Sequence, residues 1–187
     1  KVLWGTENQV EWECSINLAA TDNQKVWAGL KLTNDQLPQT DADQAYFYYA
    51  SDATNGQALS SFTPWYFIQS VNGTDYLTNT GVTVAASTNY HLKISIDSDR
   101  KPSIFINGVQ YSATTTAATT FDGSTEVTGT TQATIATSYS ATNANTQKGP
   151  AMKNDVDLIP YIGIENGAAA AEALNVHYTA ISRHVFE

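Results

Sequence analysis

Nothing in this chain can staple it covalently: its one cysteine, Cys14, leaves no partner for an intramolecular disulfide. Cys14 falls on the apolar side of an alternating stretch, with Trp12 and Ile16, and reads as a small buried hydrophobe. Basic residues are scarce as well. Nine Lys and Arg stand against eighteen Asp and Glu, a formal charge of −9. That excludes nucleic acid as a partner, because neutralising phosphates needs clustered Lys and Arg, and it disfavours anionic membrane surfaces. No apolar run approaches the roughly 20 residues of a membrane span, and no signal peptide is visible. No glycine-rich phosphate loop occurs, no Cys/His spacing suggests zinc, and no helix of ordinary length is written anywhere. The start at Lys1 rather than Met predicts an upstream portion of unread length.

What is present is strand and turn chemistry, organised around 89–111. Leu92, Ile94 and Ile96 alternate with His91, Lys93, Ser95 and Asp97, the period of a half-buried strand. Asp97–Pro102 is a polar turn. The chain returns as Ser103–Ile106 and turns again at Asn107–Gly108, a dipeptide suited to a type I′ hairpin, which needs positive φ at both central positions. Three antiparallel strands are thus predicted within some twenty residues.

The same signals recur along the chain. Val10, Trp12, Cys14, Ile16 and Leu18 alternate with polar residues. Val26, Ala28, Leu30 and Leu32 share one face of a second strand, with Trp27 on the other. Ala45–Tyr49 has no polar side, so both of its faces should be covered. Pro64–Gln69 is another aromatic strand, followed by the Asn72–Gly73 turn signal and Tyr76–Leu77. Asp157–Ile164 and a long closing strand from Leu174 towards Phe186 complete the set. Between these last two, Gly167 and the following alanines read as a short connection of about one helical turn. The stretch 112–148 differs: Thr, Ala, Ser and Asn dominate, and it reads as a β-rich arm or a disordered insertion, too long for a structureless loop inside a compact domain. The expected fold is all-β, an antiparallel two-sheet sandwich over residues 1–187 as one domain. A chain of this size buries about 70% of its unfolded surface without help from metal or disulfide.

Three pieces carry a resemblance: Val10–Cys14 with Trp27–Leu30; Tyr90–Ile94 through Phe105–Gly108; and Leu158–Ile164 with a close at Ile181–Arg183. Together they are similar to the concanavalin A-like lectin/glucanase superfamily, the jelly rolls that include laminin G-like domains. The Asp97–Lys101 turn and the Ile159–Gly163 strand resemble the version found in tailed-bacteriophage virion proteins. The resemblance therefore implies a non-catalytic capsid decoration or accessory protein on the virion surface. Its partners would be the major capsid or another virion protein, with the arm 112–148 gripping neighbours. It also implies a homo-oligomer, a trimer matching a capsid's local symmetry. The alternative is a carbohydrate-binding, lectin-like adhesion module of a tail fibre or cell-surface protein.

The chemistry bears on that choice. Glycoside hydrolysis needs two carboxylates about 5–10 Å apart. Glu11 and Glu13 share a strand face at roughly 7 Å. The glucanase branch carries Glu-x-Asp-x-x-Glu there; Glu11 matches, Glu13 replaces the Asp, and Ile16 stands where the last acid belongs. The expectation is accordingly that the chain is not an enzyme. His91, His177 and His184 have no nucleophile motif beside them. Calcium, bound by Asp and Asn oxygens in many lectins of this fold, would draw on Asp97 and Asp99, Asp41 and Asp43, or Asp52 with Asn55, each of which also reads as a solvated acidic turn. For a glycan the candidates are Trp65, Tyr66, Tyr48 and Tyr76, aromatics that could stack on sugar rings or equally fill a sandwich core. Asn72–Thr74 fits a glycosylation acceptor but reads as a turn.

Overall fold

In a computed structural model, which describes residues 4–34, 41–51, 59, 61–115, 117, 134–135, 147–167 and 172–184, two sheets stack face to face. The strands are β1 (Glu11–Leu18), β2 (Gln24–Lys31), β3 (Gln44–Ala50), β4 (Pro64–Val71), β5 (Thr74–Thr83), β6 (Asn89–Ile96), β7 (Pro102–Ile106), β8 (Val109–Tyr111), β9 (Thr134–Ile135), β10 (Ile159–Asn166) and β11 (Leu174–Ser182). One sheet has the order β11-β1-β6-β7-β8, the other β10-β2-β3-β4-β5-β9. All the described pairings are antiparallel except the short parallel contact of β9 with β5. This is a jelly-roll sandwich. Among the described residues, no helix is long and apolar enough to cross a membrane.

Alternation builds the main core. Trp12, Cys14, Ile16 and Leu18 of β1 and Tyr90, Leu92, Ile94 and Ile96 of β6 all point between the sheets. From the six-stranded sheet, Val26, Ala28, Leu30, Ala45, Phe47, Tyr49, Trp65 and Phe67 meet them. Trp65 crosses the gap, its ring centroid 6.0 Å from Tyr49 and 5.6 Å from Tyr90. Each of the larger aliphatic and aromatic side chains among them contributes about 1.5–3 kcal/mol through removal from water. Cys14 is fully buried, and desolvation pushes its thiol up to about 12, so it is inert at neutral pH.

The turns follow their residue types. Asn107 and Gly108 have φ of 51° and 79°, and Asn72 and Gly73 have 50° and 78°, the left-handed pair that a two-residue hairpin demands. Asp97 organises the β6–β7 turn by accepting the backbone N–H groups of Asp99 and Lys101, each at 2.9 Å. The long last strand ends at Ser182, short of Phe186. Most of the arm 112–148 lies outside the described residues, as do the turn at 52–56 and the 168–171 connection; within the arm, Thr134–Ile135 pairs with Thr78–Asn79 at the sheet edge.

β3 is buried on both sides along its whole length. Gly29 makes its packing against β2 feasible: a Cβ there would lie 2.5 Å from both the Ala45 carbonyl oxygen and Tyr46 Cα, backbone atoms that cannot swing away. Gly29→Ala is therefore expected to destabilise the fold by about 1–3 kcal/mol, as overpacked cores do. A lower urea midpoint would show it; an unchanged midpoint would mean that β2 and β3 separate without cost.

Candidate functional site

The outward face of the six-stranded sheet carries the side chains that β2 to β5 and β10 turn away from the main core. Cross-strand register sets them in rows. One row runs Gly163, Trp27, Tyr48, Tyr66, Asn79. The next runs Tyr161, Gly29, Tyr46, Ile68, Leu77, and a third Lys31, Gln44, Ser70, Asp75. Trp27, Tyr46, Tyr48 and Tyr66 form a second apolar cluster, with Tyr161 and Phe62 packed at its margin. Trp27 stacks on Tyr161 (6.3 Å between centroids, 8° between planes), and Tyr46 meets Tyr48 edge-on at 6.4 Å. Gly163 lets the indole lie across β10, since a Cβ there would sit 2.5 Å from the ring.

Most polar groups on this face are engaged. The Tyr66 hydroxyl accepts from Ser61 N–H at 3.0 Å and donates to the Ser61 carbonyl at 2.9 Å. Gln44 Nε2 donates to Ser70 Oγ at 2.9 Å, and Ser70 donates in turn to Asp75 Oδ1 at 2.5 Å. Lys31 Nζ lies 3.7 Å from Asp41 Oδ2 and 4.9 Å from the Tyr161 ring centre; Lys25 Nζ lies 3.1 Å from Glu165 Oε1. Three atoms differ. Trp27 Nε1, the Tyr46 hydroxyl and Gln44 Oε1 are buried with no hydrogen-bond partner. Each such orphan costs about 1–3 kcal/mol.

Burial opposes negative charge at the tyrosines and Asp75 of this face. Burial raises the Tyr46 pKa well above its ordinary value, with smaller contributions from Tyr48, Asp75 and Asp41. Tyr48 is raised by burial and then by Glu165. Burial also raises Asp75, against the opposing hydrogen bond from Ser70. Tyr46 is therefore a donor over the whole physiological range.

Of the four aromatics singled out for a glycan, Tyr48 and Tyr66 fall side by side on this face. Trp65, one residue from Tyr66, points the opposite way into the main core and is fully buried. Tyr76 is paired with Gln69, whose side chain contacts Met152 on the core side of the sheet, so it too is turned away. Trp27, Tyr46 and Tyr161 complete the cluster and were not singled out, although Tyr46 shares the parity of Tyr48 and Trp27 was already assigned to the far side of its strand. The acidic candidates for calcium are engaged elsewhere: Asp97 with Lys148 Nζ at 2.6 Å, Asp41 with Thr33 and Lys31, and Asp43 with the Asn72 N–H at 3.0 Å. Asp52 and Asn55 lie outside the described residues. Among the described residues, no group of three or more His, Cys, Asp or Glu is poised for a metal ion.

Glu11 and Glu13 occupy the outward face of the five-stranded sheet. Glu11 takes Lys93 Nζ at 3.1 Å and Ser95 Oγ at 3.0 Å; Glu13 lies 3.2 Å from His91 Nε2, whose ring sits 6.1 Å from that of Tyr178. These are cross-strand pairs on a solvated face.

Among solved structures, the chain is similar to a doubly substituted family 7 alginate lyase, A1-II′, in complex with substrate (GGMG), at 12% identity and a TM-score of 0.46, covering 100% of this chain and 65% of the lyase. The chain thus spans just under two thirds of that protein's length. No protein-family model and no curated protein matches it. Two expectations are corrected. The structure found similar is that of a lyase with its substrate and not of a virion protein, so the expectations of a capsid decoration and of a chain that is not an enzyme are both withdrawn, and the resemblance to phage virion proteins gains no support. The pieces that suggested a virion were turns and strand patterns, features of a fold rather than of a site.

Asp75 supplies a test of the electrostatics. Its folded pKa lies above the unfolded value, so the unfolded chain loses this proton first and stability falls as pH rises between the two. Asp75→Asn keeps an acceptor for Ser70 and removes the charge. The variant should match the parent in acid and melt at a higher temperature at neutral pH; superimposable pH–melting profiles would contradict the assignment.

Proposed function

We propose that this chain is a carbohydrate-binding protein whose ligand lies on the outward face of the six-stranded sheet. One observation carries the reading: the buried Tyr46 hydroxyl has no partner, on an aromatic face that also leaves Trp27 Nε1 and Gln44 Oε1 unpartnered, whereas the unpartnered atoms elsewhere among the described residues are the indoles of Trp12 and Trp65 and the amide oxygens of Gln24 and Gln69, with no hydroxyl among them. A purely structural second core would do better with Phe in place of Tyr46, because an apolar group of the same shape avoids the desolvation cost. A sugar supplies what is missing. Its ring hydroxyls donate and accept, matching two donors and one acceptor, and its C–H surface stacks on indole and phenol rings. Entry is favoured from the β10 side, where Tyr161 and Glu165 are half-exposed while Tyr46, Tyr48 and Tyr66 are buried.

Tyr46→Phe removes the hydroxyl and little else. The hydrogen bond it makes to a bound sugar is worth about 1–1.5 kcal/mol, so affinity should fall about tenfold while the melting temperature holds or rises. Titration calorimetry against an oligosaccharide panel reads the affinity, with Tyr178→Phe on the other sheet as a control. Equal affinity for parent and Tyr46→Phe, or no binding at all, would overturn the proposal. The same oligosaccharides are assayed for cleavage; products formed by the parent and lost in Tyr46→Phe would make the site catalytic.

A further inference from the structure

The charge on this face selects among glycans. Of the nine Lys and Arg residues in the sequence, Lys25 and Lys31 are the ones carried by strands β2 to β5 and β10. The connections 32–43 and 51–63 contain no Lys, Arg or His, and neither does 112–147. Of the acids in these connections, Asp41 and Asp43 lie among the described residues, Asp41 beside Lys31 and Asp43 against the Asn72 N–H. Both lysines on the face are already matched, Lys25 by Glu165 at 3.1 Å and the buried Lys31 by Asp41 at 3.7 Å. Lys93 stands on the other sheet's outward face with Glu11, and Lys148 stands at the β6–β7 turn with Asp97.

A carboxylate or sulfate brought onto this surface would give up its water and find no uncompensated cation among the described residues there. It would also meet Glu165 and Asp41 at the two positions where cations stand. An unpaired anion in a desolvated site is far more costly than an unpaired hydroxyl. Uncharged sugar hydroxyls carry no such cost and suit the three orphaned atoms. We infer that the ligand is a neutral glycan, built of unmodified hexoses or pentoses rather than uronates or sulfated sugars. This rests on the reading of the face as a glycan site.

The whole chain is titrated by calorimetry with neutral hexasaccharides (β-glucan, xylan and mannan series) and with uronate ones (alginate and pectate series), at low and high salt. The expected result is binding within the neutral set, weakened about tenfold by Tyr46→Phe and insensitive to salt, since no ion pair forms. Glu165→Gln releases Lys25 and should admit a uronate that the parent rejects, with a salt dependence the neutral ligand lacks. Uronate binding by the parent that depends on Tyr46 would overturn the charge argument and leave the glycan site standing. Binding by neither set would overturn both. Neutral binding indifferent to Tyr46→Phe would move the ligand off this face and overturn the glycan site as placed.

Discussion

Strand β3 has no solvent side, and that constraint shapes the rest of the molecule. Ala45, Phe47 and Tyr49 enter the main core while Tyr46, Tyr48 and Ala50 enter the cluster behind it. A strand of this kind must sit centrally, and it does, flanked by β2 and β4. It needs a neighbour with room for its bulk, which Gly29 provides, and a clamp to the opposite sheet, which the Tyr49–Trp65–Tyr90 contacts provide. The five-stranded sheet has no counterpart: behind β1 and β6, its outward face carries Glu11, Glu13, His91, Lys93 and Ser95, all at least partly exposed. The sandwich is therefore asymmetric, with one wet outer face and one dry one.

On the dry face, apolarity and polarity coexist in a way that packing alone does not require. Ion pairs there are closed within the protein, and Tyr46 and Asp75 are both held towards their protonated forms. What stays open is a small set of neutral hydrogen-bonding atoms beside aromatic rings. That combination is what the proposed neutral glycan rests on. The wet face offers the opposite, carboxylates already committed to Lys93, Ser95 and His91.

Much of this architecture is legible in the residues. The alternation of β1 and β6, the Asn72–Gly73 and Asn107–Gly108 turns, and the two-sided burial of Ala45–Tyr49 follow from local chemistry that tertiary context does not override. The site was only half legible. Trp65 and Tyr66 are adjacent, so strand parity sends one into the core and the other to the outer face; which goes where depends on the register with β3, a long-range fact. Lys25–Glu165 joins residues 140 positions apart, and no local pattern announces such a pair. Function is the least legible, because the motifs that resemble virion domains describe how a jelly roll turns, not what it binds.

Four tryptophans make the central claim directly measurable. Trp27 faces the proposed ligand, whereas Trp12 and Trp65 are sealed in the main core and Trp4 packs at its edge. Proton–nitrogen NMR of the four indole groups during titration with the best neutral oligosaccharide reports on each separately. A saturable shift of the Trp27 indole, with Trp12 and Trp65 unmoved, is the expected result. A ligand that binds while leaving Trp27 unshifted, or that moves Trp4 alone, would place the site elsewhere and contradict the account.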